Sequence, residues 1–177
     1  MALEKANLKT IPPLTDLILL IGPPGAGKST FARKLIEQQS LDSAAHISND
    51  DIAKELFGVT VDRGDKDGAV FAEQDKRIAN RLKNGQVAIV DATNVKPEAR
   101  KRLIAIAKQY NQPVTALCFY RDEATLLKQN QGRDVTVPES MVREYAALME
   151  KVTEDKLKSE GIGAVYEVPA FQQGETK

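Results

Sequence analysis

The chain has 177 residues, 42% hydrophobic and 28% charged, and its 25 basic and 25 acidic side chains cancel. That length suits one compact domain with a substantial core, and the composition is ordinary for a soluble globular protein. The charge balance lends no support to a broadly basic nucleic-acid coat, though it leaves room for a local basic groove.

The single cysteine, Cys118, rules out an intrachain disulfide or a cysteine zinc cluster. The single histidine, His46, reads as structural and argues against a Ser-His-Asp site, which points any general base toward a carboxylate. The longest apolar run, near residue 20, is too short to span a membrane. The N-terminus lacks a signal-peptide pattern, so the expected location is the cytoplasm.

Residues 1–16 read as a polar arm ending in Pro12-Pro13. Leu17–Ile21 predicts a strand that stops at Gly22. Residues 22–29, GPPGAGKS, then fit G-x-x-x-x-G-K-[ST], the phosphate-binding loop, and a helix from about Lys28 to Gln39 follows. Gly22, Gly25 and Gly27 let the backbone come close to a ligand. Pro23 and Pro24 have no N–H. The donors for a triphosphate must therefore come from Gly25, Ala26, Gly27, Lys28, Ser29 and Thr30, aided by the helix N-terminus. In this motif Lys28 reaches the β- and γ-phosphates and the Ser29 hydroxyl binds Mg²⁺, so ATP and Mg²⁺ are the expected cofactors.

Ala45–Ser48 predicts a second strand. Asn49-Asp50-Asp51 offers an N-cap for a helix that Gly58 stops. Residues 58–68 carry three glycines and five charges and predict a mobile loop. A helix over Ala69–Asn84 places Phe71, Ile78 and Leu82 on one face. Val87–Val90 is a strand closed by Asp91, and Pro97–Tyr110 is a helix with proline in its first turn. Val114–Tyr120 is a strand that buries Cys118. Residues 122–131 form a short helix before the segment GRDVTV. Pro138 opens a helix whose stripe of Met141, Tyr145, Leu148 and Val152 is core packing, with a helical extension to about Glu160. AVYEV is a last strand, and residues 170–177 are a polar tail.

Strands alternating with helices give an α/β fold, a parallel sheet of about five strands with helices on both faces. Ligands in such sheets gather beyond the carboxyl ends of the strands, where Gly22, Asp50 and Asp91 each follow a strand. Asp50 is placed either to take a proton from an acceptor hydroxyl or to cap its helix. Asp91 matches the position that holds Mg²⁺ in phosphate-loop proteins. Thr93 and Asn94 follow it and are candidates to orient a substrate. Arg133, in a glycine-containing segment between helices, is a candidate to offset charge on a transferring phosphoryl from a closing flap over residues 131–137. Lys96, Arg100, Lys101 and Arg102 form either a solvated helix face or a track for phosphodiesters.

The order GPPGAGKSTFARK, ISNDDI, IVDATNVKPEARKRLIAIAK and NQGRDVTVPE resembles the kinase domain of polynucleotide 5′-hydroxyl kinases, over about residues 17–168 of a chain read as one domain. The resemblance implies a three-layer P-loop kinase fold. It implies Asp50 as general base toward a nucleic-acid 5′ end, Lys28 and Ser29 on ATP and Mg²⁺, and Arg133 as a flap arginine, with Arg100 among the residues near the acceptor. The sequence departs from that family in three places. Ala53 stands where the family has an arginine beside the acceptor phosphate, and Gln129 and Val135 stand where flap arginines are expected. A kinase of small hydroxylated molecules and a nucleotide-dependent switch stay open as alternatives.

Overall fold

The computed structural model describes residues 3–58, 67–133 and 136–170. The loop expected over 58–68, Val135 of the expected flap and the tail from 171 lie almost wholly outside the described residues.

Leu17–Ile21 (β2) is the axis of the fold, and all five of its residues are buried. Its period-two alternation sends Leu17, Leu19 and Ile21 into one apolar layer and Ile18 and Leu20 into the other. A strand buried on both faces must be covered by helices on both faces, which is why a continuous apolar run belongs in a parallel α/β sheet. The sheet has six strands, not about five. They are Glu4–Lys5 (β1), β2, His46–Ser48 (β3), Ala88–Asp91 (β4), Val114–Cys118 (β5) and Ala164–Glu167 (β6), in the order β1-β6-β5-β2-β4-β3. Every pairing is parallel. The extra strand lies in the arm, where Glu4 and Lys5 are exposed but pair with Tyr166 and Glu167. The arm then buries Ala6, Ile11 and Leu14.

Helices Asn49–Phe57 (α2), Asp67–Lys83 (α3) and Pro97–Gln109 (α4) cover one face through Ile52, Ile78 and Leu103. Lys28–Gln38 (α1), Glu123–Gln131 (α5) and Glu139–Met149 (α6) bring Phe31, Leu35, Leu126 and Val142 to the other. Phe31 meets Phe119 edge to face, with ring centroids 5.5 Å apart.

Of the stripe expected on α6, Tyr145, Leu148 and Val152 pack on the core, and only Met141 departs from it. Val142 and Met149 are buried, while Met141 is exposed. The helix also ends at Met149, and Thr153 caps a separate helix, Glu154–Ser159 (α7), by accepting from the Lys156 N–H at 3.2 Å.

From β2 the chain lays down β3 and β4 on one side of the sheet, then crosses to β5 and β6 on the other. The strand order therefore reverses beside β2, and a crevice opens beyond the carboxyl ends of the strands. Gly22, Asp50 and Asp91 all lie at those ends.

Candidate active site

The loop after β2 is built by close approach. The Gly22 N–H donates to the Thr93 carbonyl at 3.0 Å, and a Cβ on Gly22 would lie 2.9 Å from Phe119 Cβ. Gly25 and Gly27 have φ of 87° and 92°, the left-handed region that glycine enters without strain. Gly27 stands at the N-cap of α1, so the first N–H groups of that helix open onto the loop. Ala26 is buried, and Thr30 is exposed at the start of the helix.

Lys28 is 8% exposed, and its Nζ donates to the Pro23 carbonyl at 2.9 Å. Burial pushes its ammonium down to about 8, against the pull of Asp91 and Asp50, while Arg133 and Arg121 push the same way as burial. Two carboxylates and two guanidiniums thus stand within electrostatic reach of one buried ammonium. Titratable groups perturbed in this way, in a crevice at the end of a sheet, are the mark of a functional site.

Asp91 ends β4. Its Oδ2 accepts from the Ser29 hydroxyl at 2.6 Å and lies 2.7 Å from His46 Nε2. Burial pushes the Asp91 carboxyl up, but the hydrogen bond from His46 and the charge of Lys28 outweigh it and hold the group below the usual carboxylate range. Among the described residues no cluster of three or more His, Cys, Asp or Glu side chains could hold a metal by itself. A pair of hard oxygens is what Mg²⁺ takes when phosphates and water supply the rest of its shell. The Ser29–Asp91 pair and the phosphate loop beside it therefore fit a magnesium nucleotide.

Asp50 lies in the first turn of α2. The helix cap is Ser48, whose Oγ accepts from the Asp51 N–H at 3.3 Å, and not any residue of the Asn49-Asp50-Asp51 run. Asp50 lies two positions past the cap, with its side chain half exposed. Arg133 reaches it from the segment after α5, its guanidinium 3.5 Å from Asp50 Oδ2. The residues expected on the phosphoryl group and on the acceptor hydroxyl are direct neighbours.

Two expected substrate residues are put to other use. Asn94 is buried with φ 51°, and its amide donates to the Leu20 carbonyl at 2.8 Å. Together with the Thr93 carbonyl it ties the turn after β4 to the end of β2, so this segment braces the phosphate loop. Arg100 is 1% exposed. Its guanidinium pairs with Glu160 at 2.7 Å and donates to the carbonyls of Asn94 and Val95. It is a structural arginine and is not available to a substrate. Removing one partner of a buried pair leaves the other uncompensated, so Arg100→Ala should destabilise the fold by about 3 kcal/mol. Thermal melts check this. Any acceptor KM of the folded protein should stay unchanged, whereas a raised KM without a stability loss would return Arg100 to the acceptor.

The remaining basic cluster is divided. Arg102 bonds Gln74 at 2.7 Å, pairs with Asp75 and lies over the Phe71 ring. Lys96 lies over the Tyr145 ring at 5.7 Å. Lys96 and Lys101 are exposed, as on a solvated helix face, while Arg100 and Arg102 are engaged within the fold. Arg121 carries no sequence signal that singles it out. It donates to the carbonyls of Tyr120 and Val168 and contributes positive charge near Lys28.

The chain is 28% identical over 130 residues to an L-seryl-tRNA(Sec) kinase of Methanococcus maripaludis, a match that takes in 72% of this chain and 49% of that protein. A chain in the structure of the Pnkp1/Rnl/Hen1 RNA repair complex superposes with a TM-score of 0.69 at 23% identity, over 82% of this chain and 47% of that one. Kti12 of Chaetomium thermophilum, solved with ADP-AlF3, gives a TM-score of 0.61 at 18% identity, over 90% of this chain and 93% of that one. The chain thus spans about half the length of the first two. The AAA_33 family, an AAA domain, matches residues 17–152. That match takes in the phosphate loop, Asp50, Asp91 and Arg133 together, and with it the chain, folded as a P-loop kinase, belongs to the AAA_33 family.

Proposed function

We propose that this protein transfers the γ-phosphoryl of ATP to a 5′-hydroxyl end of RNA or DNA. The observation that carries this is the meeting of Arg133 and Asp50 beside Lys28. Asp50 takes the proton of the attacking hydroxyl. Lys28 and the N–H groups of residues 25–30 hold the phosphates, and Arg133 offsets charge on the phosphoryl in transit. Ser29 and Asp91 would hold Mg²⁺, which supplies charge neutralisation between the phosphates when bound. Phosphoryl transfer is mostly positioning and electrostatics, and this set of residues supplies both.

The nucleic-acid acceptor is supported by the motif order and by the RNA named for two similar proteins. The engagement of Arg100 and Arg102 within the fold argues for a protein that reads the terminal nucleotide and not a length of strand. Each phosphate that a basic side chain neutralises adds about −0.7 to the slope of log affinity against log salt for single strands. With arginine missing at Ala53, Gln129 and Val135, a total slope of about −1.4 to −2.1, or roughly two to three phosphates, is expected from that relation.

Labelled ATP with 5′-hydroxyl RNA and DNA oligonucleotides tests this, with 5′-phosphorylated ones as controls and small hydroxylated metabolites alongside. Label should appear only on 5′-hydroxyl ends, with a shallow salt dependence. Transfer to a metabolite and to neither nucleic acid would replace this reading with a small-molecule kinase. Nucleotide binding with no transfer would replace it with a switch.

A further inference from the structure

His46, the chain's one histidine, lies on β3. The parallel register sets His46 beside Ile89 and Ser48 beside Asp91, so the imidazole reaches Asp91 along the diagonal between the two strands. The His46 and Asp91 side chains are 10% and 5% exposed. Both strong bonds to the Asp91 carboxylate, from Ser29 and from His46, fall on Oδ2. An ionised carboxylate only accepts, so the imidazole must be the donor and its Nε2 must carry a proton.

Ser29 has one hydroxyl proton and commits it to the same oxygen. That leaves the lone pairs of Ser29 Oγ, together with Asp91 Oδ1, as the oxygens without a part in these two bonds. A carboxylate pinned at one oxygen cannot rotate about its last bond. It therefore holds its second oxygen, and the serine bonded to it, in one orientation.

We propose that His46 is a positioning residue for the divalent cation of the bound nucleotide, acting through its Nε2–H bond to Asp91. The inference rests on the reading of Asp91 and Ser29 as the residues that serve that cation, and it is independent of the acceptor. Groups that orient a metal's ligands typically change metal affinity by about 10–100-fold when removed. A purely structural histidine would lower stability and weaken nucleotide binding equally with and without the metal.

Calorimetric titration of ADP into the wild type, His46→Leu and His46→Gln, each with and without Mg²⁺, separates the two. The wild type should bind more tightly with Mg²⁺. His46→Leu should lose about 10-fold or more of that gain while its magnesium-free affinity is unchanged. His46→Gln, whose amide can donate from a similar reach, should recover most of it. An equal magnesium gain in His46→Leu overturns the inference, and so does an equal loss in both conditions. Wild-type binding that ignores Mg²⁺ overturns the cation reading of Asp91 and this inference with it, while oligonucleotide phosphorylation stays a separate test of the acceptor.

Should His46→Leu not fold, the wild type decides. Its one imidazole gives one set of ¹⁵N signals. These should report a protonated Nε2 and shift when Mg²⁺ joins the nucleotide complex. A bare Nε2, or signals blind to Mg²⁺, overturn the inference.

Discussion

Lys28→Met should lower kcat by at least about 10²–10³-fold, the scale for losing one donor aimed at developing charge. The same variant should melt at a higher temperature than the wild type at pH 7. Both expectations follow from one fact, that the ammonium is buried in a polar loop and held near 8, far below its usual 10.5. In the ligand-free protein that charge has lost its water and gained only the Pro23 carbonyl and the more distant Asp91 and Asp50. Methionine keeps the aliphatic stem and removes the desolvated charge.

The pH dependence follows by linkage. Below pH 8 both folded and unfolded chains carry the proton, and the cost of burial is felt in full. Between about 8 and 10.5 the unfolded lysine keeps its proton while the folded one sheds it, so stability contributed by this group rises with pH across that window. The difference in stability between Lys28→Met and the wild type should therefore be largest near neutrality and shrink toward pH 10.5. Melting curves of both proteins over that range measure it. A gap that does not change with pH would mean that Lys28 is better solvated than its burial implies. Unchanged turnover at saturating ATP and Mg²⁺ would overturn its role at the phosphates. Nucleotide phosphates give a desolvated ammonium an anionic partner, so the same group that weakens the free fold strengthens the loaded one.

Asp50→Asn should slow transfer by roughly 10²–10⁴-fold, the usual contribution of a positioned general base, with ATP affinity nearly unchanged. Asparagine keeps the shape and can still meet Arg133, but it cannot take a proton. Asp51→Asn is the matched control. Asp51 is exposed, and its own N–H is already capped by Ser48, so the substitution should be mild. Initial rates and nucleotide titrations on the pair decide it. A crippled Asp51→Asn beside a mild Asp50→Asn would exchange the two roles.

The parts of this fold that are legible in the sequence are the local ones. Gly22 to Ser29 announces its loop because each residue is constrained by its own backbone, and β2, β4 and β5 announce themselves as apolar runs. β1 carries no such signal. Two charged residues become a strand only because the edge of β6 is open to them. The α2 cap falls one residue ahead of the expected run because Ser, Asn and Asp all suit that position, and only the end of the β3 ladder selects Ser48. Arg100 looks like part of a basic face because its partner, Glu160, lies 60 residues away. His46 looks inert because the carboxylate that engages it lies 45 residues along, on a neighbouring strand. What sequence reading lacks in each case is a long-range partner, and charged side chains change meaning most when one is supplied.

The first and last strands of the sheet are neighbours, β1 beside β6, while β3 and the helix that bears Asp50 lie at the opposite border. Five strand spacings separate the two borders, about 24 Å. The junctions ahead of Glu4 and beyond Glu167 lie on one border of the sheet and close together. Such geometry is what insertion of one domain into another requires. This fold can therefore be carried as a cassette, spliced through two adjacent junctions into a surface loop of a host protein.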